Sequence, residues 1–235
     1  SQYALYNLGT CYLKTQQKEF AGKAFYAAYQ LDVNQEIRED ALFNFAKISY
    51  ELSNDPYNRA ITAINSYLEA YPKSTRKKEA YSYLVNLFLS SKNYKGALVA
   101  IENIEDRTTE LNKAYQLIAF NRAIELYNES RFNEAQELLE KSQKFPQDYM
   151  LKLQAKYWSA DCSYQLKEYD KSILMWKELY SDHKVKQLNE FLQIPYNIAF
   201  AYYVLNAYPS AIEWFDKVIK GPGVPKLLSD SYLRT

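Results

Sequence analysis

Residues 6–32, YNLGTCYLKTQQKEFAGKAFYAAYQLD, contain the pattern that decides the fold. A small residue, Gly9, is followed by Ala21, Phe25 and Ala28, which stand four and three residues apart. Residues at these spacings lie on one face of an α-helix, so these three side chains form one stripe. A small residue facing an alanine lets two antiparallel helices approach each other closely. The stretch therefore predicts a packed helix pair, with Gly9 in the first helix and the stripe in the second.

The same frame recurs along the 235 residues at intervals of 37 to 39 residues. We call the position of Gly9 the slot and the three-residue set in the second helix the stripe. The slot residues are Gly9, Ala46, Val85, Ala123, Ala160 and Ala199. The stripes are Ala21/Phe25/Ala28, Ala60/Ile64/Tyr67, Ala97/Ile101/Ile104, Ala135/Leu139/Ser142, Ser172/Trp176/Leu179 and Ala211/Phe215/Val218. Two positions that keep one period over six copies predict a repeat protein.

The composition agrees with helical repeats. The chain has only 5 glycines and 7 prolines, which leaves little material for hairpin turns. Its hydrophobic content of 48% is sufficient for a folded core. Cys11 and Cys162 lie inside apolar helical stretches, so we predict that both are buried free thiols.

The pattern resembles that of the tetratricopeptide repeat (TPR) superfamily, whose consensus is W-x2-L-G-x2-Y, then A-x3-F, then P. The fullest match is Leu5, Leu8, Gly9 and Tyr12, followed by Ala21, Phe25 and Ala28. The repeats exceed the usual length of about 34 residues, and the closing proline is in register only at Pro72, which we attribute to longer helices or turns. The resemblance implies an all-α fold: a right-handed α-solenoid of about six antiparallel helix pairs plus a partial seventh helix.

We predict a single solenoid over residues 1–235. The repeats are expected at about 1–34, 35–74, 75–112, 113–148, 149–187 and 188–225, and residues 226–235 are expected to begin a further helix. Solenoids normally carry polar terminal repeats, and both ends here look like repeat interiors. We therefore expect the chain to be a piece of a longer protein.

Charge and motifs argue against several functions. With 29 basic and 28 acidic residues, no general field draws the chain to nucleic acid or to anionic lipid. No apolar run is long enough for direct membrane insertion. His183 is the only histidine, so we predict no metal site and no histidine-based catalytic centre. The sequence has no glycine-rich phosphate loop, and we predict no cofactor, no catalytic residues and no enzymatic activity.

Aromatic residues and asparagines recur on another face of the first helix, at three and two residues before the slot and four after it. The resemblance implies that this face lines a concave groove, where large stiff rings favour binding and amides hydrogen-bond a peptide backbone. The predicted groove residues are Tyr6, Asn7, Phe43, Asn44, Tyr50, Phe120, Asn121, Tyr127, Tyr157, Tyr164, Tyr196, Asn197 and Tyr203. We expect exposure above all at Tyr164, Tyr196 and Tyr203. The alternative is that the rings pack against the next repeat.

These observations predict a non-enzymatic scaffold that binds a peptide or protein segment in its groove. The alternative is a structural spacer or a module that self-associates through its terminal repeats. Residues 63–74, AINSYLEAYPKS, are similar to the Tyr-Pro-x-Ser junction common in bacterial cell-envelope members of the superfamily. The resemblance therefore leads us to expect the periplasm or cell envelope of a bacterium.

Overall fold

The computed structural model describes residues 1–52, 59–221 and 225–234. In this described part the chain forms thirteen α-helices, two short 3₁₀ turns at Val185–Gln187 and Asn189–Phe191, and no β-strand. The predicted all-α class of six helix pairs plus a seventh first helix is confirmed. Among the described residues, the structure contains no helix with the length and apolar content needed to cross a bilayer.

The contacts divide the chain into two compact units, residues 1–111 and 112–235, with the boundary in the first turn of α7. The helices of unit 1 are α1 Gln2–Lys14, α2 Lys18–Tyr29, α3 Gln35–Glu51, α4 Arg59–Ala70, α5 Lys77–Ser90 and α6 Tyr94–Glu102. Those of unit 2 are α7 Thr109–Asn128, α8 Phe132–Gln143, α9 Tyr149–Gln165, α10 Tyr169–Ser181, α11 Ile194–Val204, α12 Tyr208–Lys220 and α13 Pro225–Arg234. Odd-numbered helices are the first helices of the pairs, and even-numbered helices are the second.

The slots and stripes form the core of both units. Each slot residue lies in a first helix and is buried, and no stripe residue is more than 4% exposed. At Gly9 a Cβ atom would lie 3.0 Å from the ring of Phe25. Glycine therefore lets α1 approach the middle residue of the α2 stripe closely. Burying each large apolar side chain of this kind stabilises the fold by about 1.5–3 kcal/mol.

A left-handed residue ends the first helix in five of the described pairs. Gln16, Lys92, Ser130, Lys167 and Asn206 have φ between 55° and 65°, and each lies seven residues after its slot. The N–H of the following residue donates to the carbonyl five residues earlier, as from Gln17 to Tyr12 at 2.8 Å. This is the hydrogen bond of a Schellman turn. The corresponding residue of the second repeat, Ser53, lies outside the described residues.

Buried glutamines join successive repeats. The side-chain oxygen of Gln2 accepts from the N–H of Asn34 at 2.7 Å, and that of Gln116 accepts from the N–H of Asp148 at 2.8 Å. Asn34 and Asp148 are the N-caps of α3 and α9. Each glutamine therefore fixes the point at which the next first helix begins, while its own polar groups are satisfied inside the core.

The prediction for the cysteines is right at one position and wrong at the other. Cys162 is fully buried, and desolvation raises the pKa of its thiol to about 12. Cys11 is exposed. Two residues along a helix turn the side chain to nearly the opposite side, so Cys11 lies away from the face on which Gly9 contacts α2.

Candidate binding face of the first helices

Unit 1 has a cleft of about 480 Å³ on the face of its first helices. Three successive first helices, α1, α3 and α5, contribute to its walls. The lining residues include Tyr6, Thr10, Leu13, Asn44, Lys47 and Glu79. Tyr6 and Asn44 are predicted groove residues, and Leu13 lies at the predicted register four residues after the slot. The seven-residue spacing of these positions places them on one helix face, where successive repeats align them.

Asp40 is the centre of the polar network in this cleft. Its carboxylate accepts from the Tyr6 hydroxyl, from Arg76 and, at 2.9 Å, from the side-chain amide of Asn44. Burial, together with the hydrogen bond to Asp40, raises the pKa of Tyr6 to about 12. The Arg76 guanidinium also lies 4.8 Å from the ring centre of Phe43, at cation–π distance. The network therefore joins α1, α3 and the start of α5.

The opposite wall of the cleft is more open. Lys47 and Glu79 are 3.8 Å apart and their side chains are 42% and 46% exposed. An ion pair at this exposure contributes at most about 1 kcal/mol to stability, so little free energy is lost when it opens. The wall thus offers a cationic donor and an anionic acceptor to a ligand lying in the cleft.

On the first-helix face of unit 2, tyrosine–aspartate hydrogen bonds join successive first helices. The hydroxyl of Tyr127 donates to Asp161, and that of Tyr196 donates to Asp230. In both pairs the aspartate lies 34 residues after the tyrosine, the same separation as between Tyr6 and Asp40. Burial and the bond to Asp161 raise the pKa of Tyr127, and burial and the bond to Asp230 raise the pKa of Tyr196 to about 12.

Arg234 completes the second of these pairs. Its Nε donates to Asp230 at 2.7 Å, and its guanidinium lies 5.0 Å from the ring centre of Phe200 and 4.9 Å from that of Tyr203. Tyr203 is 39% exposed. In unit 2 the arginine therefore covers aromatic rings that would otherwise face solvent.

The structure divides the predicted groove residues into three groups. Phe43 and Tyr157 are buried, at 5% and 6% exposure, and Phe43 nevertheless contributes to the lining of the unit 1 cleft. Phe43 packs edge-on against Tyr67 with ring centres 5.1 Å apart, and the Tyr157 hydroxyl accepts from Asn197 at 3.0 Å. The half-buried residues are Tyr6, Asn44, Tyr50, Phe120, Asn121, Tyr127, Tyr164, Tyr196 and Asn197, and the exposed ones are Asn7 and Tyr203.

Several of the predicted asparagine donors bond within the chain. Asn44 donates to Asp40, Asn197 to Tyr157, and Asn121 to the carbonyl of Leu117 at 2.8 Å. The bonds of Asn44 and Asn121 lie within their own helices, and only that of Asn197 joins two first helices.

No family model matches the sequence, and no curated protein matches it. Solved structures do match. YrrB, described as a TPR protein with an unusual peptide-binding site, is 17% identical over 90% of this chain and 99% of its own, with a TM-score of 0.50. This chain has the fold of TPR proteins. The apo form of RapI is similar as well, 12% identical over 98% of this chain and 79% of its own, with a TM-score of 0.51.

The acidic and basic partners on the first-helix face of this TPR fold were missed in the sequence. Asp40, Asp161 and Asp230 each follow a tyrosine by 34 residues, which is the usual TPR repeat length. A search for tyrosine and aspartate at that separation would have found all three. Arg76 and Arg234 leave no comparable signal, because one precedes its helix and the other lies inside it.

Proposed function

We propose that this chain is a non-enzymatic scaffold for protein interactions, and that the cleft of unit 1 binds an extended segment of a partner protein. The observation that carries the proposal is the cleft itself, which combines predicted groove positions from successive first helices around Asp40. Its volume is within the range of about 300–1,000 Å³ that is typical of ligand sites. Similarity to YrrB, a protein described as having a peptide-binding site, supports the same class of ligand.

The chemistry of the cleft favours recognition of a peptide backbone. Lys47 and Arg76 stand against Asp40 and Glu79, so the cleft has no excess of either charge. Lys47 supplies N–H donors for carbonyl groups, and Glu79 accepts from amide N–H groups. We therefore expect the bound segment to be extended and of low net charge.

The test is a selection of peptides from a random library on the intact protein, followed by calorimetric titration of the selected peptides. Replacing Lys47 and Glu79 together by alanine is expected to weaken binding by about tenfold or more. Lys23→Ala is the matched control, because Lys23 is exposed on the second helix α2 and lies near Phe20 rather than in the cleft. Selected peptides that bind the Lys47→Ala/Glu79→Ala variant as well as the wild type would refute the proposal.

A structural spacer is the second candidate, because tyrosine–aspartate bonds tie successive first helices together at Tyr6, Tyr127 and Tyr196. A spacer needs no ligand. Failure of the selection to yield any peptide that binds the folded protein would favour this candidate over the scaffold.

A further inference from the structure

Two successive second helices enclose a groove whose floor is the first helix between them. In unit 1 the groove between α4 and α6, with α5 as its floor, is an open cleft of about 550 Å³. The residues that matter for its chemistry are Asn65, Leu68, Leu84, Phe88, Val99 and Asn103. None of them lines the cleft on the first-helix face, so the two clefts of unit 1 are separate surfaces.

In unit 2 the equivalent groove, between α10 and α12 over α11, is filled by Trp214. This indole is 8% exposed and packs edge-on against Tyr180 with ring centres 5.7 Å apart. The amines of Lys177 and Lys217 lie 5.6 and 3.7 Å from its ring centre. Lys177 also donates to the hydroxyl of Tyr202 in the floor at 2.6 Å. The chain itself thus shows which side chain this groove accommodates.

The repeat register makes the two grooves directly comparable. Ala100 in α6 is the third residue after the first stripe residue, and Trp214 holds the same position in α12. In the floors, Phe88 and Tyr202 are both the third residue after the slot. The α4/α6 groove therefore has alanine at the position where the α10/α12 groove has tryptophan.

The other grooves of this kind inside a unit have a larger side chain at one of two register positions, that of Asn65 or that of Ala100. Between α2 and α4, Tyr26 packs on Phe45 with ring centres 4.9 Å apart, and Tyr26 holds the register position of Asn65. Between α8 and α10, Met175 holds the position of Ala100, and its sulfur lies 3.9 Å from the hydroxyl of Ser163. Only short side chains occupy both filling positions of the α4/α6 groove.

We propose that the α4/α6 cleft is a binding site for an aromatic side chain, tryptophan or tyrosine, of a partner protein. The ring would pack on Leu68, Leu84 and Phe88, as Trp214 packs on Tyr180 in unit 2. The side-chain oxygens of Asn65 and Asn103 would accept a hydrogen bond from the indole N–H or the phenol O–H, which a buried Trp or Tyr must satisfy. Val99, which is 61% exposed, forms an apolar edge that the partner would cover.

The probes are capped pentapeptides of sequence Gly-Gly-X-Gly-Gly, with X as Trp, Tyr, Leu or Ala, titrated into the whole chain. Binding is followed by the NMR shifts of the backbone amides of Phe88, Gly96 and Val99. The Trp and Tyr peptides are expected to shift these signals, the Leu peptide to bind about tenfold more weakly, and the Ala peptide to have no effect. Equal binding of the Leu and Trp peptides, or shifts that avoid these residues, would overturn the assignment.

Variants connect the shifts to the cleft. Val99→Glu changes an exposed edge residue, leaves the core intact and is expected to weaken the Trp peptide about tenfold or more. Val33→Glu is the matched control, because Val33 is 81% exposed and lies outside the cleft, and it is expected to bind as the wild type does. Ala100→Trp should fill the cleft and abolish the shifts. Sedimentation showing that the wild type dimerises and Val99→Glu does not would assign the cleft to a second copy and refute the proposal.

Discussion

Unit 1 and unit 2 each contain a tyrosine, an aspartate and an arginine in one hydrogen-bonded network, but they take these residues from different helices. In unit 1, Tyr6 belongs to α1, Asp40 to α3, and Arg76 is the N-cap of α5. The network therefore joins three successive repeats. Its closure depends on the packing of helices that are far apart in sequence.

In unit 2 the corresponding network joins only two helices. Tyr196 lies in α11, and Asp230 and Arg234 lie four residues apart in α13. A pair at this spacing interacts within a single helix, without tertiary structure. The aspartate–arginine pair therefore depends on inter-repeat packing in unit 1 and on local helix structure in unit 2.

The largest expected difference between the two networks is in how far the free energy of unfolding falls when the carboxylate is removed. Asp40→Ala leaves Tyr6, Arg76 and Asn44 without their common acceptor, and we expect it to lower the free energy of unfolding by about 3 kcal/mol. Asp230→Ala removes a more exposed carboxylate, whose arginine partner lies in the same helix, and should lower the free energy of unfolding by about 1 kcal/mol. Urea denaturation followed by circular dichroism measures both losses. Asp40→Asn keeps an oxygen acceptor, so its free energy of unfolding should lie between those of the wild type and Asp40→Ala. Equal losses of stability for Asp40→Ala and Asp230→Ala would contradict the prediction.

A smaller effect is expected at alkaline pH. Burial and hydrogen bonds to aspartate raise the pKa values of Tyr6 and Tyr196 from 10.0 to about 12. Because the folded state holds these protons more tightly, their stabilisation is fully present below pH 10 and is lost as the pH rises from 10 to about 12. Tyr6→Phe and Tyr196→Phe should each cost about 1 kcal/mol at neutral pH and reduce the alkaline loss.

Urea denaturation across this pH range measures the dependence for the wild type and both phenylalanine variants. Tyr3→Phe is the control, since Tyr3 is 65% exposed and should leave the profile unchanged. A wild-type stability that stays constant through pH 12 would contradict the prediction.

The smallest expected difference lies in the turns between paired helices. Lys92 in unit 1 and Asn206 in unit 2 have φ of 55° and 58°, in the left-handed region. Lysine is strained there, whereas asparagine tolerates it, so Lys92→Gly should raise the free energy of unfolding by about 0.5 kcal/mol and Asn206→Gly should have almost no stabilising effect. Thermal unfolding of the two variants checks the difference, and a gain at Asn206 as large as that at Lys92 would count against strain as the cause.

Much of the fold was predictable because the stripe and the slot repeat in the sequence. Side chains spaced by three and four residues must share a helix face, so Ala97 and Ile101 identify a packed second helix without coordinates. The turns were less accessible. Lys92 and Lys167 adopt the left-handed conformation, which in a sequence is usually predicted from a glycine. Because both positions are lysines, the sequence did not predict it.

The candidate binding face was predictable only in part. Tyr6 and Asn44, two of the predicted groove residues, line the cleft of unit 1. The burial of Phe43 and Tyr157 was not predictable. Whether a ring on that face contacts solvent or the next repeat depends on how closely the neighbouring helix packs against it. Asp40 was missed for a related reason: two of its three donors, Tyr6 and Arg76, belong to other repeats and reach it only after folding.

By itself, the sequence determined that the chain is built from repeated helix pairs and which residues form their cores, because helical periodicity is a local property of the chain. Only the tertiary structure decided which grooves stay open. Ala63 and Ala100 hold the same register position, yet Tyr26 of the preceding second helix packs in the groove between α2 and α4, whereas the groove beside Ala100 is an open cleft. Close packing acts between residues far apart in sequence, so its outcome cannot be predicted from the sequence of a single repeat.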